Sequence, residues 1–101
     1  MSGSRVYSYS EVRAVAKVDC FVIAGLVCWF WSNDHNPPHF HIKREGEWEL
    51  KVNFLESEDD KMFELEFGDL PRSKVRKAIK TLVIANRPAL LVEWAAKVKL
   101  I

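Results

Sequence analysis

The sequence predicts a single α+β domain in which a four-stranded antiparallel sheet packs against two C-terminal helices. Apolar residues alternate with polar ones between residues 40 and 67, and from about residue 72 they recur at the spacing of a helix. A chain of 101 residues that is 49% hydrophobic is long enough for one core and too short for two domains. We expect residues 19–101 to form this domain and residues 1–18 to form an N-terminal extension, partly disordered or an arm.

Composition and charge limit the class of protein. The 15 basic residues balance 14 acidic ones, so overall charge favours neither nucleic acid nor a membrane as partner. The apolar run over residues 21–31 is well short of the roughly 20 residues that span a bilayer. Cys20 and Cys28 form none of the close-spaced pairs of zinc ribbons or redox motifs, which indicates buried, reduced thiols. We therefore expect a cytoplasmic protein without membrane contact.

The first predicted strand lies within residues 21–31, where both alternating sets of side chains are apolar. This pattern is typical of a strand covered on both faces, and Gly25 would permit a bulge or bend. Trp29 and Trp31 suit either a core or a surface position.

The second and third strands are predicted from residues 40–43 and 48–54, where apolar side chains alternate with polar ones. A three-residue loop over 44–46, with Gly46 in the left-handed region, sets apolar residues opposite each other. The predicted pairs are Phe40 with Leu50, Ile42 with Trp48, His41 with Glu49, His39 with Lys51 and Lys43 with Glu47.

The fourth strand follows an acidic loop over residues 56–61. Phe63, Leu65 and Phe67 are predicted to face the core, and the intervening glutamates Glu64 and Glu66 to face outward.

Two helices are predicted at the C-terminal end. Asp69 is the expected cap of the first, with Pro71 in its first turn, and Pro88 is expected to separate it from the second. Apolar residues at helical spacing define the buried stripes, and Trp94 lies in the second of them.

All three histidines lie within residues 33–41, which makes this segment the candidate site. Pro37 and Pro38 exclude a helix, so His39 and His41 lie two apart on a strand and point to one face. The sequence is consistent with a divalent metal site for zinc or manganese, with an open coordination position. Its candidate ligands are His35, His39, His41 and Asp34, with Glu49 orienting His41 from the next strand.

Two other interpretations of this segment stay open. Without a metal, His39 beside Lys51 could act as base and His41 beside Glu49 as acid in RNA phosphodiester cleavage. In a purely structural interpretation, residues 33–36 form a turn, one X–Pro bond is cis, and the histidines occupy the solvent face of a strand.

A second candidate surface is a basic stripe on the first predicted helix. It would contact phosphates or an acidic partner, although a lysine-rich solvent face is the common alternative. The stripe consists of Arg72, Lys74, Arg76, Lys77 and Lys80.

The string over residues 33–41, the Gly-Asp-Leu-Pro at 68–71 and the Glu93-Trp94 pair together resemble the uncharacterised bacterial family called domain of unknown function 4160. The resemblance covers about residues 23–98. It implies a small cytoplasmic protein encoded beside another small protein, in an arrangement suggestive of a toxin–antitoxin pair. It implies no catalytic residues. The chain departs from the family pattern in the extension over 1–18 and in a longer acidic loop at 56–61.

The leading functional expectation is a toxin–antitoxin-like regulatory module that binds a small co-encoded protein, nucleic acid or both. The alternative is an enzyme, a small nuclease or phosphodiesterase that uses the histidine segment as metal ligands or acid–base groups. The sequence leaves open which half of a pair the chain would be and whether RNA or DNA is bound. A homo-oligomer is a further option, since an open sheet edge can pair with a second copy.

Overall fold

The computed structural model describes residues 14–99, so most of the predicted N-terminal extension lies outside the described residues. The architecture is α+β, with an antiparallel sheet and one long C-terminal helix. The strands run in sheet order as in the chain. They are β1 (Val15–Lys17), β2 (Val27–Trp31), β3 (Phe40–Arg44), β4 (Trp48–Val52) and β5 (Phe63–Gly68), with helices α1 (Asp59–Met62) and α2 (Ser73–Lys97).

The sheet therefore has five strands, and the prediction of four was wrong. The added strand is β1, which lies in the segment predicted as an extension and places Lys17 opposite Trp29 of β2. The predicted first strand also begins later, at Val27, because Gly25 at φ 80° ends a turn in which the Leu26 N–H donates to the Ile23 carbonyl. The residues before this turn form a loop whose apolar side chains pack against the core. The sequence pattern does not distinguish such a loop from a strand.

The pairing of β3 with β4 is shifted by two residues from the predicted register. The loop comprises residues 45–47, closed by the Glu47 N–H donating to the Arg44 carbonyl, with Gly46 at φ 79° in its centre. A two-residue shift leaves every side chain on the same face, so the hydrophobic pattern alone could not exclude it. The observed pairs are Phe40 with Val52, His41 with Lys51, Ile42 with Leu50, Lys43 with Glu49 and Arg44 with Trp48.

Strand β5 is an edge strand with a bulge. Its register jumps from Phe67 opposite Glu49 to Leu65 opposite Leu50, which leaves Glu66 as the extra residue. Phe63 is buried as predicted, and Leu65 lies on the predicted core face, opposite Leu50, although it is 47% exposed at the sheet edge. The predicted inward placement of Phe67 was wrong, because the bulge sets it opposite Glu49 on the other face, where it is 59% exposed.

Helix α2 is continuous over 25 residues, so Pro88 does not separate two helices. Pro88 cannot donate to the carbonyl of Ile84, but Ile84 is exposed and water can replace that hydrogen bond. Asn86 donates its side-chain amide back to the Leu82 carbonyl instead of capping a new helix. The predicted cap was also wrong, because Arg72, not Asp69, is the N-cap and no side chain caps the helix.

Helix α2 covers one face of the sheet and forms the core with it. The buried helix residues Ile79, Val83, Leu90 and Trp94 belong to one cluster with the apolar side chains of β3 and β4. Within residues 14–99, no helix is both long and apolar enough to cross a bilayer.

The end of α2 is fastened to the start of the sheet by a group of polar contacts, here called the clasp (Asp19, Cys20, Glu93 and Lys97). The Glu93 carboxylate accepts hydrogen bonds from the N–H groups of Asp19 and Cys20, at 2.8 and 2.7 Å. Lys97 Nζ donates to the Lys17 carbonyl and lies 2.6 Å from Asp19 Oδ2.

Candidate functional site

The candidate site lies on the face of the sheet opposite α2. His41 points to this face from the middle of the sheet, with Trp29 of β2 on one side and Lys51 of β4 on the other. Its ring stacks on Trp29 with centroids 5.5 Å apart and an interplanar angle of 24°. Trp31 contacts the same ring edge-on, so aromatic residues cover His41 although the helix does not.

The loop between β2 and β3 carries the other two members of the site. The Asn36–Pro37 peptide bond is cis, as one of the structural alternatives predicted. His39 Nδ1 lies 2.8 Å from the carbonyl oxygen of Pro37, which can only accept, so Nδ1 carries a proton. The His39 ring also contacts His41 and Trp94, with centroids 5.1 and 5.3 Å apart, which links the loop to the core.

Asp34 joins the two histidines. One carboxylate oxygen, Oδ2, lies 2.9 Å from Nε2 of His39 and 3.3 Å from Nε2 of His41. We call these three residues the Asp–His cluster; they are 4%, 2% and 5% exposed, in sequence order. Their ligand atoms all lie within 4.8 Å of one another, the arrangement required to hold one metal ion.

Glu66 is a site residue that sequence reasoning missed. Its Oε1 lies 2.9 Å from Nδ1 of His41, and the β5 bulge provides the extra residue that makes this contact. The predicted partner, Glu49, pairs with Lys43 and Phe67 in the sheet, although its carboxylate lies within 4.8 Å of His41 and Glu66. The alternation of apolar and polar residues does not reveal where a strand has a bulge, so the sequence does not predict this contact.

The cluster contains more hydrogen-bond acceptors than two neutral imidazoles can serve. All four ring nitrogens face oxygen atoms, namely the Pro37 carbonyl, the Glu66 carboxylate and Asp34 Oδ2 twice. Each neutral imidazole has one N–H, so only two of these four contacts can be hydrogen bonds. The two contacts between the Nε2 atoms and Asp34 Oδ2 therefore call for additional protons, on the rings or on Asp34, or for a cation between these atoms.

Burial disfavours the extra proton on His39. The pKa of His39 is lowered, mainly by desolvation and also by the charges of His41 and Lys51, against the opposing effects of the Pro37 carbonyl and the Asp34 carboxylate. The neutral ring is therefore favoured, with its proton on Nδ1. Its Nε2 lone pair then faces the carboxylate oxygen of Asp34 at 2.9 Å, which is repulsive unless a proton on Asp34 or a cation lies between the two atoms.

His35, the remaining predicted ligand, does not join the cluster. Its side chain is exposed, and among the described residues it belongs to no group that could hold a metal ion. Asp34 occupies the third ligand position in its place.

Two buried side-chain polar atoms have no hydrogen-bond partner within residues 14–99. They are Nε1 of Trp29, whose ring stacks on His41, and Oδ1 of Asn53, which follows the residue opposite Phe40. Buried polar groups are usually satisfied, often by an ordered water molecule. Beside His41, the indole N–H of Trp29 is therefore a donor without a partner among the described residues.

The predicted basic stripe is divided by contacts within the chain. Arg76 and Lys80 both pair with Asp59 of α1, at 3.8 and 2.9 Å, and this lowers the pKa of Asp59, mainly through its hydrogen bond with Lys80. Arg76 also donates to the Pro71 carbonyl. The other three residues, Arg72, Lys74 and Lys77, are exposed. Two members of the stripe therefore fasten α1 to α2.

Comparison with known proteins gives one result. A family model described as Domain of unknown function (DUF4160) matches residues 25–95, a span that contains the whole Asp–His cluster and Glu66. Neither the curated proteins nor the solved structures include a match to this chain.

Proposed function

The chain belongs to the family described as Domain of unknown function (DUF4160), and from this premise we propose that it is a regulatory module that binds a partner protein in a metal-stabilised state. The metal is a divalent transition ion held by Asp34, His39 and His41. The partner is a small co-encoded protein, as in a toxin–antitoxin-like pair.

The observation that carries the metal proposal is the position of Asp34 Oδ2, 2.9 and 3.3 Å from the two Nε2 atoms. Ligand atoms about 2.0–2.1 Å from a tetrahedral zinc ion lie about 3.3 Å apart, so these separations need little adjustment. One metal ion between Asp34 Oδ2 and the two Nε2 atoms would take the place of the protons that these contacts otherwise need. Two imidazoles and one carboxylate favour zinc over manganese, which prefers oxygen ligands.

The outer contacts of the histidines suit the same role. The Pro37 carbonyl and the Glu66 carboxylate each accept a hydrogen bond from an Nδ1–H group, which leaves both Nε2 lone pairs directed at Asp34. Metal-binding histidines commonly donate their second N–H to a carbonyl or a carboxylate in this way.

Burial favours a stabilising ion over a catalytic one. The three ligands are almost fully enclosed, whereas an ion that cleaves a phosphodiester must admit the phosphate to its open coordination position. The nuclease alternative therefore has less support than the binding module. Because two members of the basic stripe are paired with Asp59, a protein partner is favoured over nucleic acid.

Calorimetric titration of the EDTA-treated full chain with zinc chloride tests the metal proposal. We expect one ion per chain with a Kd below about 1 µM, and a higher thermal midpoint in the presence of zinc. His39→Gln and Asp34→Asn should abolish this binding. The matched control His35→Gln removes an exposed imidazole from the same loop and should bind zinc as the parent does. Stoichiometry below one in the parent, or loss of binding in His35→Gln, would refute the assignment of ligands.

The partner proposal has its own test. The proposed partner, a small protein encoded beside this chain, should elute with the zinc-loaded chain in size-exclusion chromatography, and EDTA should weaken the complex. Cleavage of RNA by the zinc-loaded chain, abolished by His39→Gln, would favour the enzyme instead.

A further inference from the structure

The outer edge of β5 combines unpaired backbone groups with exposed apolar side chains. In the described part of the chain, β5 pairs with β4 on one side and no strand pairs with its other side. Leu65, Phe67 and Leu70, on or just after this strand, are about half exposed. An edge of this composition is a template for a further strand.

The charge around this edge is strongly negative. Residues 56–69 contain seven carboxylates and one lysine. Some of these are neutralised, since Glu64 lies 3.9 Å from Lys51 and Asp59 pairs with Lys80. Asp60 and Asp69 have no ion pair within residues 14–99. A partner strand at this edge therefore meets unbalanced negative charge at both ends of β5.

A cavity adjoins the edge and adds an anchor point. It has a volume of about 250 Å³ and is lined by Asp59, Asp60, Phe63, Leu70 and Arg76. Its apolar lining would accept the stem of a long side chain, and Asp60 would attract a cationic end group.

The same charges argue against a second copy of this chain as occupant. In a symmetric antiparallel pair of β5 strands, an axis at Leu65 sets Glu64 opposite Glu66 of the other copy, and an axis at Glu66 sets that residue opposite itself. An axis between them would set residues that point to opposite faces against each other, which an antiparallel pair does not allow. Each of these registers is unfavourable.

We propose that the β5 edge binds an extended segment of another protein in which apolar residues alternate with lysine or arginine. The segment adds a sixth strand to the sheet through backbone hydrogen bonds. Its apolar side chains cover Leu65 on the core face, and its basic side chains lie on the opposite face with Glu64. This inference deepens the proposed partner binding and rests on it, because it names the surface and the chemistry of the partner.

A labelled peptide tests the proposal. The probe is a fluorescein-labelled peptide of about six residues that alternates valine and lysine, and its control replaces each lysine by glutamate. Fluorescence anisotropy with the zinc-loaded chain should show saturable binding of the lysine peptide, at least about tenfold tighter than that of the glutamate peptide and weakened by salt. Amide hydrogen exchange of β5 should slow on binding, because its outward N–H groups become paired.

Variants of the chain locate the binding surface. The double variant Leu65→Lys/Phe67→Lys should lower the peptide affinity about tenfold or more. The control Ile84→Lys/Leu91→Lys changes two α2 residues that are 50% and 43% exposed and should leave the affinity unchanged. Equal binding of both peptides, equal loss in both double variants, or concentration-dependent dimers that Leu65→Lys/Phe67→Lys abolishes would overturn the proposal. If the co-encoded protein binds Leu65→Lys/Phe67→Lys as tightly as the parent, the edge assignment fails while the partner-binding function stands.

Discussion

Glu66 Oε1 lies 2.9 Å from Nδ1 of His41, so the edge strand β5 makes direct contact with the Asp–His cluster. With the His41 proton at Nδ1, this contact is a hydrogen bond that holds the ring orientation and leaves Nε2 for a metal ion. The two proposals above are therefore connected through one side chain.

Glu66→Gln should lower zinc affinity by about 10–100-fold, because the amide is a weaker acceptor for the Nδ1 proton than the carboxylate. Calorimetric titration measures this loss directly. The control Glu45→Gln removes a carboxylate that is exposed and paired only with Lys43 among the described residues, so its affinity should equal that of the parent. Unchanged affinity in Glu66→Gln would mean that Glu66 does not support the metal ligand.

Gly68→Ala should destabilise the fold by about 3 kcal/mol or more, measured by urea unfolding. A Cβ at this position would lie 2.0 Å from the Glu47 carbonyl oxygen, and the backbone has φ +73°. The matched control Gly46→Ala has a similar φ of +79° but no atom within 4 Å of the added Cβ. The free energy of unfolding of Gly46→Ala should fall only by the strain of the left-handed conformation, about 1–2 kcal/mol. Equal losses in the two variants would contradict the close approach of β4 and β5.

Pro88→Ala should raise the free energy of unfolding by about 1–2 kcal/mol. Alanine restores the N–H that can donate to the Ile84 carbonyl and favours a helix by about 3 kcal/mol over proline, less the entropy gained by the unfolded chain. Pro88 is exposed, so little packing is lost. Chemical denaturation monitored by circular dichroism provides the measurement. Pro71→Ala, outside the helix, should bring no gain, and a loss of stability in Pro88→Ala would indicate that the proline itself is required.

The thiol of Cys20 should react slowly with iodoacetamide at neutral pH. Burial, aided by the neighbouring Glu93 carboxylate, raises the pKa of Cys20 to about 11. The thiolate fraction, and hence the rate, should rise about tenfold for each pH unit between pH 8 and 10. Cys28→Ala isolates this reaction from the second thiol, whose pKa burial raises to about 12. A rate that levels off near pH 9, as for free cysteine, would disagree with the buried environment.

The sequence predicts which side chains share a face more reliably than which residues are opposite each other. His39 and His41 were predicted on one face and do meet there, because the two-residue period of a strand does not depend on register. Asp34 was a predicted ligand and lies between them. The β3–β4 register was wrong by two residues, since such a shift preserves every facing.

Other features depend on tertiary contacts that a local pattern does not contain. Glu66 reaches His41 through the bulge in β5, and α2 continues past Pro88, where the affected carbonyl belongs to the exposed residue Ile84. His35 was chosen as a ligand by spacing alone, and the turn that brings Asp34 inward leaves it exposed.

The clasp between Glu93 and the Asp19–Cys20 amides has a consequence for how the domain is made. Its two halves are more than 70 residues apart in the chain, so it closes one of the longest loops available and does so at high entropic cost. During synthesis, hairpins such as β3–β4 can form first. The packing of α2 on the sheet can be completed only after the last turns of α2 have left the ribosome tunnel. Until then the side of the sheet that α2 will cover stays open to chaperones.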